Sequence, residues 1–137
     1  MDTFGHSAHP PLDEDFLDAL PKTLSDILPG MVEAGLTDIA TQLEELKRHA
    51  NSDINQTDMI RCIHSIKSCS NQLGGAELAE FARNKEAEYS NEVPRQLEED
   101  IDSLTILFSR FQRELLRYMA ERADKLDGEH EHPDNNK

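Results

Sequence analysis

Residues 61–75 read RCIHSIKSCSNQLGG, and within them one histidine and one lysine stand at a spacing that brings side chains together on a helix. No other His–Lys pair in the chain is separated by three positions as His64 and Lys67 are. At about 100° per residue, Met59, Cys62, Ile63, Ile66, Cys69, Ser70 and Leu73 fall in one mostly apolar sector. His64, Lys67, Ser68 and Asn71 fall on the other side, with His64 nearly opposite the centre of the apolar stripe. An imidazole is largely neutral at pH 7, which leaves one ring nitrogen with a free lone pair. That nitrogen can attack a phosphoryl group and form a phosphoramidate of high transfer potential. The Lys67 ammonium, one turn along, can stand beside the phosphoryl oxygens as a mobile point charge. Ser68 can donate a hydrogen bond and is small enough to let another backbone approach. A His–Lys pair of this spacing also arises by chance on solvated helix faces, so the pair alone makes only a candidate phosphate-carrying site.

The elements that must position these residues are helical. Residues 1–12 carry Gly5, Pro10 and Pro11 with little periodicity and read as a flexible lead-in. From Asp13, the spacing Phe16, Leu17, Leu20, Leu24, Ile27, Leu28 is helical, and Pro21 inside it predicts a break. Pro29-Gly30 punctuates again, and Pro29 is placed to start the next helix. Val32, Leu36, Ile39, Leu43, Leu46 and Ala50 then recur at helical spacing, with Lys47, Arg48 and His49 at the end where cations complement the macrodipole. Asn55 or Thr57 can cap the helix that carries His64, and Gly74-Gly75 ends it near Leu73. A helix over 76–90 follows, on which the Lys85 stem lies along the apolar stripe while its amine reaches water. The longest periodic run, Leu97 to Leu126, forms the last helix, and 127–137 reads as a disordered polar tail. The fold class expected is all-α, an up-down four-helix bundle over 13–126 with an additional short N-terminal helical segment.

Composition narrows the function. The chain has 137 residues and a net charge of -14, which repels nucleic acid and anionic membranes and leaves a protein partner or a small cation as the plausible ligand. No run approaches the roughly 20 apolar residues of a membrane span, and the first residues have neither the basic start nor the apolar run of a secretory signal. Cys62 and Cys69 are about 10 Å apart along one helix, too far for a disulfide, and read as reduced cysteines of a cytoplasmic protein. No Gly-rich phosphate loop, nucleotide fingerprint or HExxH motif is present, so autonomous ATP use is not expected. The scattered terminal histidines, His6, His9, His130 and His132, lack the partners of a metal site, and no cofactor or metal is expected of the chain itself.

The segment HSIKSCSNQLGGAELAEFARNKE, residues 64–86, resembles the histidine-containing phosphotransfer (HPt) domain, with its His-x-Leu-Lys-Gly signature, later glycine and following leucine. His64 matches the phosphoacceptor, Ile66 the apolar position, Lys67 the lysine, Gly74 the glycine and Leu78 the leucine. Glu86 falls where the family often has a Gln or Glu that approaches the histidine from the neighbouring helix. Ser68 departs from the usual glycine, and Asn71 stands where Ala or Ser is commoner. The resemblance implies a phosphocarrier. A receiver domain of a response regulator or hybrid histidine kinase would present an aspartyl phosphate in line with the His64 ring, and would bring its own Mg²⁺. Glu86 would fix the reactive tautomer, Ile60 would offer an outward apolar contact to the receiver, and Ser68 or Asn71 would meet the partner or the phosphoryl group. On this reading the protein is a cytoplasmic monomer, a carrier rather than a kinase. The rival is a helical adaptor that binds a response regulator or other signalling protein without ever being phosphorylated.

Overall fold

The computed structural model describes residues 9–51 and 55–131, with side chains through residue 126. Its order is α1 (Glu14–Asp18), α2 (Lys22–Ala50), α3 (Gln56–Gln72), α4 (Ala76–Asn91) and α5 (Leu97–Glu131), with no strand among the described residues. α3 packs on α2 and α4, and α5 packs on the same two helices, so the four long helices form a closed ring. This is the up-down bundle expected, with α1 as the short extra piece.

Capping explains the boundaries. Asp13 accepts a hydrogen bond from Phe16 N at 3.2 Å and starts α1, and Asn55 accepts from Asp58 N at 3.1 Å and starts α3. α3 ends in a paired C-terminal motif: Gly75 N donates to Ser70 O at 2.7 Å and Gly74 N to Asn71 O at 3.3 Å. Gly74 has φ +79°, which a residue with a Cβ adopts only under strain. A Cβ on Gly75 would lie 2.8 Å from the Phe111 ring, so this turn presses against α5 with no side chain between.

Three expected boundaries need correction. Pro29 does not start a helix; it lies inside α2, which runs on from Lys22 to Ala50. A proline there removes the donor that would satisfy the carbonyl four residues back, that of Ser25. Arg122 on α5 takes over, donating to Ser25 O and, at 2.9 Å, to Ser25 Oγ. The end of the lead-in is also built in: Leu12 is buried, Asp13 N donates to Gly74 O at 2.7 Å, and Glu77 N donates to Pro10 O at 3.1 Å. Residues 1–8 lie outside the described residues. Finally, α5 runs past Leu126 and Gly128 to Glu131, into the stretch read as a polar tail, of which 132–137 lie outside the described residues.

The core is a continuous aliphatic cluster with Tyr89 and Phe111 among its largest fully buried members. Its polar anchor is at the α4–α5 loop. The Tyr89 hydroxyl donates to Asp100 Oδ2 at 2.7 Å, and Lys85 Nζ lies 3.2 Å from Asp100 Oδ1 and over the Phe81 ring. The Lys85 amine is therefore drawn inward to a carboxylate that α5 supplies, rather than reaching water as the stripe on α4 alone suggested. Burial, then the Asp100 carboxylate, pushes the Tyr89 phenol well above its ordinary range.

Two measurements check this account. Ile66 has no exposed surface, so Ile66→Ala should lower unfolding free energy by about 2 to 5 kcal/mol in urea titrations. Pro29→Ala restores the missing helix donor, so it should reduce the destabilisation caused by Arg122→Ala by about 1 kcal/mol in a double-mutant cycle.

Candidate functional site

The site lies on the seam between α3 and α4. Met59, Cys62, Ile63 and Ile66 are buried in the bundle, and a helix that buries that stripe must turn His64 outward. The His64 side chain keeps 57% of its surface exposed. His64 and Glu86 stand at nearly equal distances along the chain from Gly74, so two antiparallel helices joined at that turn bring them level. Gln56 Nε2 donates to Tyr89 O at 2.5 Å at the far end of the same seam and helps fix the register.

The Glu86 carboxylate bridges both residues singled out by the sequence. Its Oε2 lies 2.9 Å from His64 Nδ1, and its Oε1 lies 2.8 Å from Lys67 Nζ. Glu86 and Lys67 are each about three-quarters buried, at 22% and 24% exposure. The hydrogen bond from Lys67 holds the Glu86 carboxyl below the usual carboxylate range; burial opposes that effect and the hydrogen bond with the His64 ring adds to it. An ionised carboxylate can only accept, so Nδ1 carries the hydrogen and Nε2 keeps the lone pair. The ring thus has one nitrogen engaged and one available, and the exposed face is the one from which a second molecule can reach it.

The remaining residues divide. Ser68, one turn beyond His64, is half-buried beside the ring's helix face. Asn71 is exposed but two turns, about 10 Å, along the helix from His64. Ile60 does not stand outward as expected: it is half-buried and packs against the core, because the bundle closes over that edge of α3. Sequence reasoning missed the ion pair between Lys67 and Glu86: spacing about Gly74 brings Glu86 level with His64, but which side chains of α3 the carboxylate meets is set by how the two helices are rotated against each other. Cys62 is buried and Cys69 half-buried, both with free thiols whose ionisation burial disfavours. Among the described residues, no three or more His, Cys, Asp or Glu side chains converge as a metal site would require. The side chains of His6, His130 and His132 lie outside those residues. Among the described residues, no helix is long and apolar enough to cross a membrane.

A titration tests the electrostatics. A carboxyl held below its ordinary range contributes stability that is complete above that range and disappears as pH falls through its own lower midpoint. Lys67→Ala should therefore bring the Glu86 carboxyl ¹³C midpoint upward toward the ordinary value. The melting temperature at neutral pH should fall slightly, by the stability that the lowered carboxyl supplied, and without the larger cost of a core substitution, because Lys67 lies outside the hydrophobic core.

No protein-family model matches the sequence, and no curated protein sequence matches it. Comparison of folds does find a relative in shape, the crystal structure of histidine-containing phosphotransfer protein B (HptB) from Pseudomonas aeruginosa PAO1. The two superpose with a TM-score of 0.74 over 84% of this chain and 98% of that one, at 19% sequence identity. The helical bundle that carries His64, Lys67 and Glu86 is thus the fold of a histidine-containing phosphotransfer protein.

Proposed function

We propose that this chain is a phosphocarrier of a multistep, two-component phosphorelay, with His64 as the phosphoacceptor. The observation that carries the reading is the outward His64 ring, bonded at Nδ1 to Glu86, on a bundle with the HptB fold. An aspartyl phosphate of a receiver domain approaches in line with Nε2. The Nε2 lone pair forms the N–P bond as the O–P bond breaks and its electron pair returns to the aspartate oxygen. The receiver supplies Mg²⁺ and most of the charge stabilisation; this chain supplies a held ring and the Lys67 ammonium. Transfer onward to a second receiver reverses these steps, so the chain needs no nucleotide and is not itself a kinase.

Ser68 and Asn71 fit the rim on which a receiver would land, Ser68 close to the ring and Asn71 farther along α3. Ile60 offers only its uncovered part to that contact. The partners are receiver domains of response regulators or of a hybrid histidine kinase, met by a monomer in the cytoplasm. The net charge of -14 disfavours nucleic acid and anionic membranes as competing ligands.

Incubation with a phosphorylated receiver domain tests the reading. Wild type should acquire an acid-labile, alkali-stable phosphoryl label that is lost in His64→Gln, and Lys67→Ala should acquire it roughly tenfold more slowly, an effect of about 1.4 kcal/mol on the barrier. Unlabelled protein that still binds the receiver in wild type and in His64→Gln would establish the adaptor reading instead.

A further inference from the structure

Glu86 is bonded to both of the groups that the phosphoryl transfer uses, and charging the ring changes what each of them prefers. The inference that follows rests on the phosphocarrier reading. We propose that Glu86 is a positioning residue that keeps the Nδ1 proton on the phosphorylated His64 ring, which primes the carrier for discharge rather than for storage.

Attack through Nε2 turns the neutral ring into an N-phosphoimidazolium that still carries its hydrogen at Nδ1. The fate of that hydrogen decides how the N–P bond can break. If it stays, the electron pair returning to Nε2 leaves a neutral imidazole, and the phosphoryl group passes to a receiver carboxylate oxygen or to water. If it has gone, the leaving group is an imidazolide anion, and both reactions slow. A carboxylate 2.9 Å from Nδ1 favours the charged ring.

Before charging, Glu86 divides its charge between Nδ1 and the Lys67 ammonium at 2.8 Å. A phosphoryl dianion on Nε2 competes for that ammonium, which sits on a flexible stem one turn from His64. Whatever Lys67 gives to the phosphoryl oxygens leaves the carboxylate more wholly on the ring proton. The other charges nearby are already spoken for or face elsewhere. On α3, Arg61 pairs with Asp58; on α4, Arg83 pairs with Glu80, and Lys85 with Glu88 and Asp100. From α2, Asp38, Glu45 and Arg48 act on Cys62 and Cys69, on the far side of α3 from His64. α5 packs on α2 and α4.

The experiment charges the intact protein with phosphoramidate, a small donor that needs no receiver, and follows phosphohistidine by ³¹P NMR across pH 5 to pH 10. Glu86→Gln keeps the shape and an oxygen that accepts from Nδ1, but not the charge. Its pH–hydrolysis midpoint should lie about one pH unit below that of wild type. At pH 8 its phosphohistidine should outlive that of wild type by roughly tenfold, and onward transfer to a receiver should slow in parallel. A merely structural role for Glu86 would move the melting temperature and leave that midpoint where it was. Glu86→Gln that charges and decays with the wild-type midpoint and lifetime would overturn this inference and leave the phosphocarrier reading intact. Wild type whose His64 takes no phosphoryl group from phosphoramidate or from a phosphorylated receiver would overturn both.

Discussion

Ile63 and Ile66 have no exposed surface, and their burial orients everything else on α3. A helix allows no independent choice for neighbouring positions: once these two face the core, His64 between them must face out, and Lys67 must follow at the same edge. The ring is therefore not held in place by a pocket built around it. It is held by the burial of Ile63 and Ile66 in the core, and its hydrogen bond with Glu86 fixes its rotation and tautomer.

The opposite side of that arrangement is the α3–α4 turn. Gly74 takes a positive φ, Gly75 leaves room for the Phe111 ring, and Asp13 N bonds the Gly74 carbonyl. One tight turn thereby joins the incoming chain, two site-bearing helices and α5. The seam between α3 and α4 inherits its register from this end and from the Gln56–Tyr89 bond at the other. A carboxylate delivered to within hydrogen-bond distance of both an imidazole and an ammonium requires that register, since a slip of one residue along α4 would rotate Glu86 by about 100° away from the seam.

The partners of Lys67 and Lys85 show how the bundle uses its acidic excess. Both lysines are drawn toward carboxylates on a neighbouring helix, Lys67 to Glu86 and Lys85 to Asp100. The second pair, with the Tyr89 hydroxyl, is a buried tie between α4 and α5. The first lies in the seam between α3 and α4, three-quarters buried beside an exposed ring. Lys85 and Glu86 are consecutive on α4, so neighbouring positions of one helix supply the tie to α5 and the carboxylate beside the exposed ring.

The helical periodicity of the sequence determined the bundle, the outward direction of His64 and the glycine stop after α3, because each follows from local spacing or local backbone chemistry. It offered Asn55 and Thr57 as caps, of which the structure uses Asn55, and it left Lys67 facing out where the fold turns it to Glu86. Glu86 was expected near the ring from the resemblance of residues 64–86, not from periodicity. Tertiary structure alone decided the rest. Pro29 sits inside α2 because Arg122, distant in sequence, satisfies the carbonyl that the proline abandons. Leu12 belongs to the core because the α3–α4 turn offers it hydrogen-bonded neighbours, and Ile60 is half-covered because the bundle closes over it. The Glu86 bridge, above all, depends on two helices meeting in one register, and contacts of that kind are fixed by packing between distant segments, which no local pattern encodes.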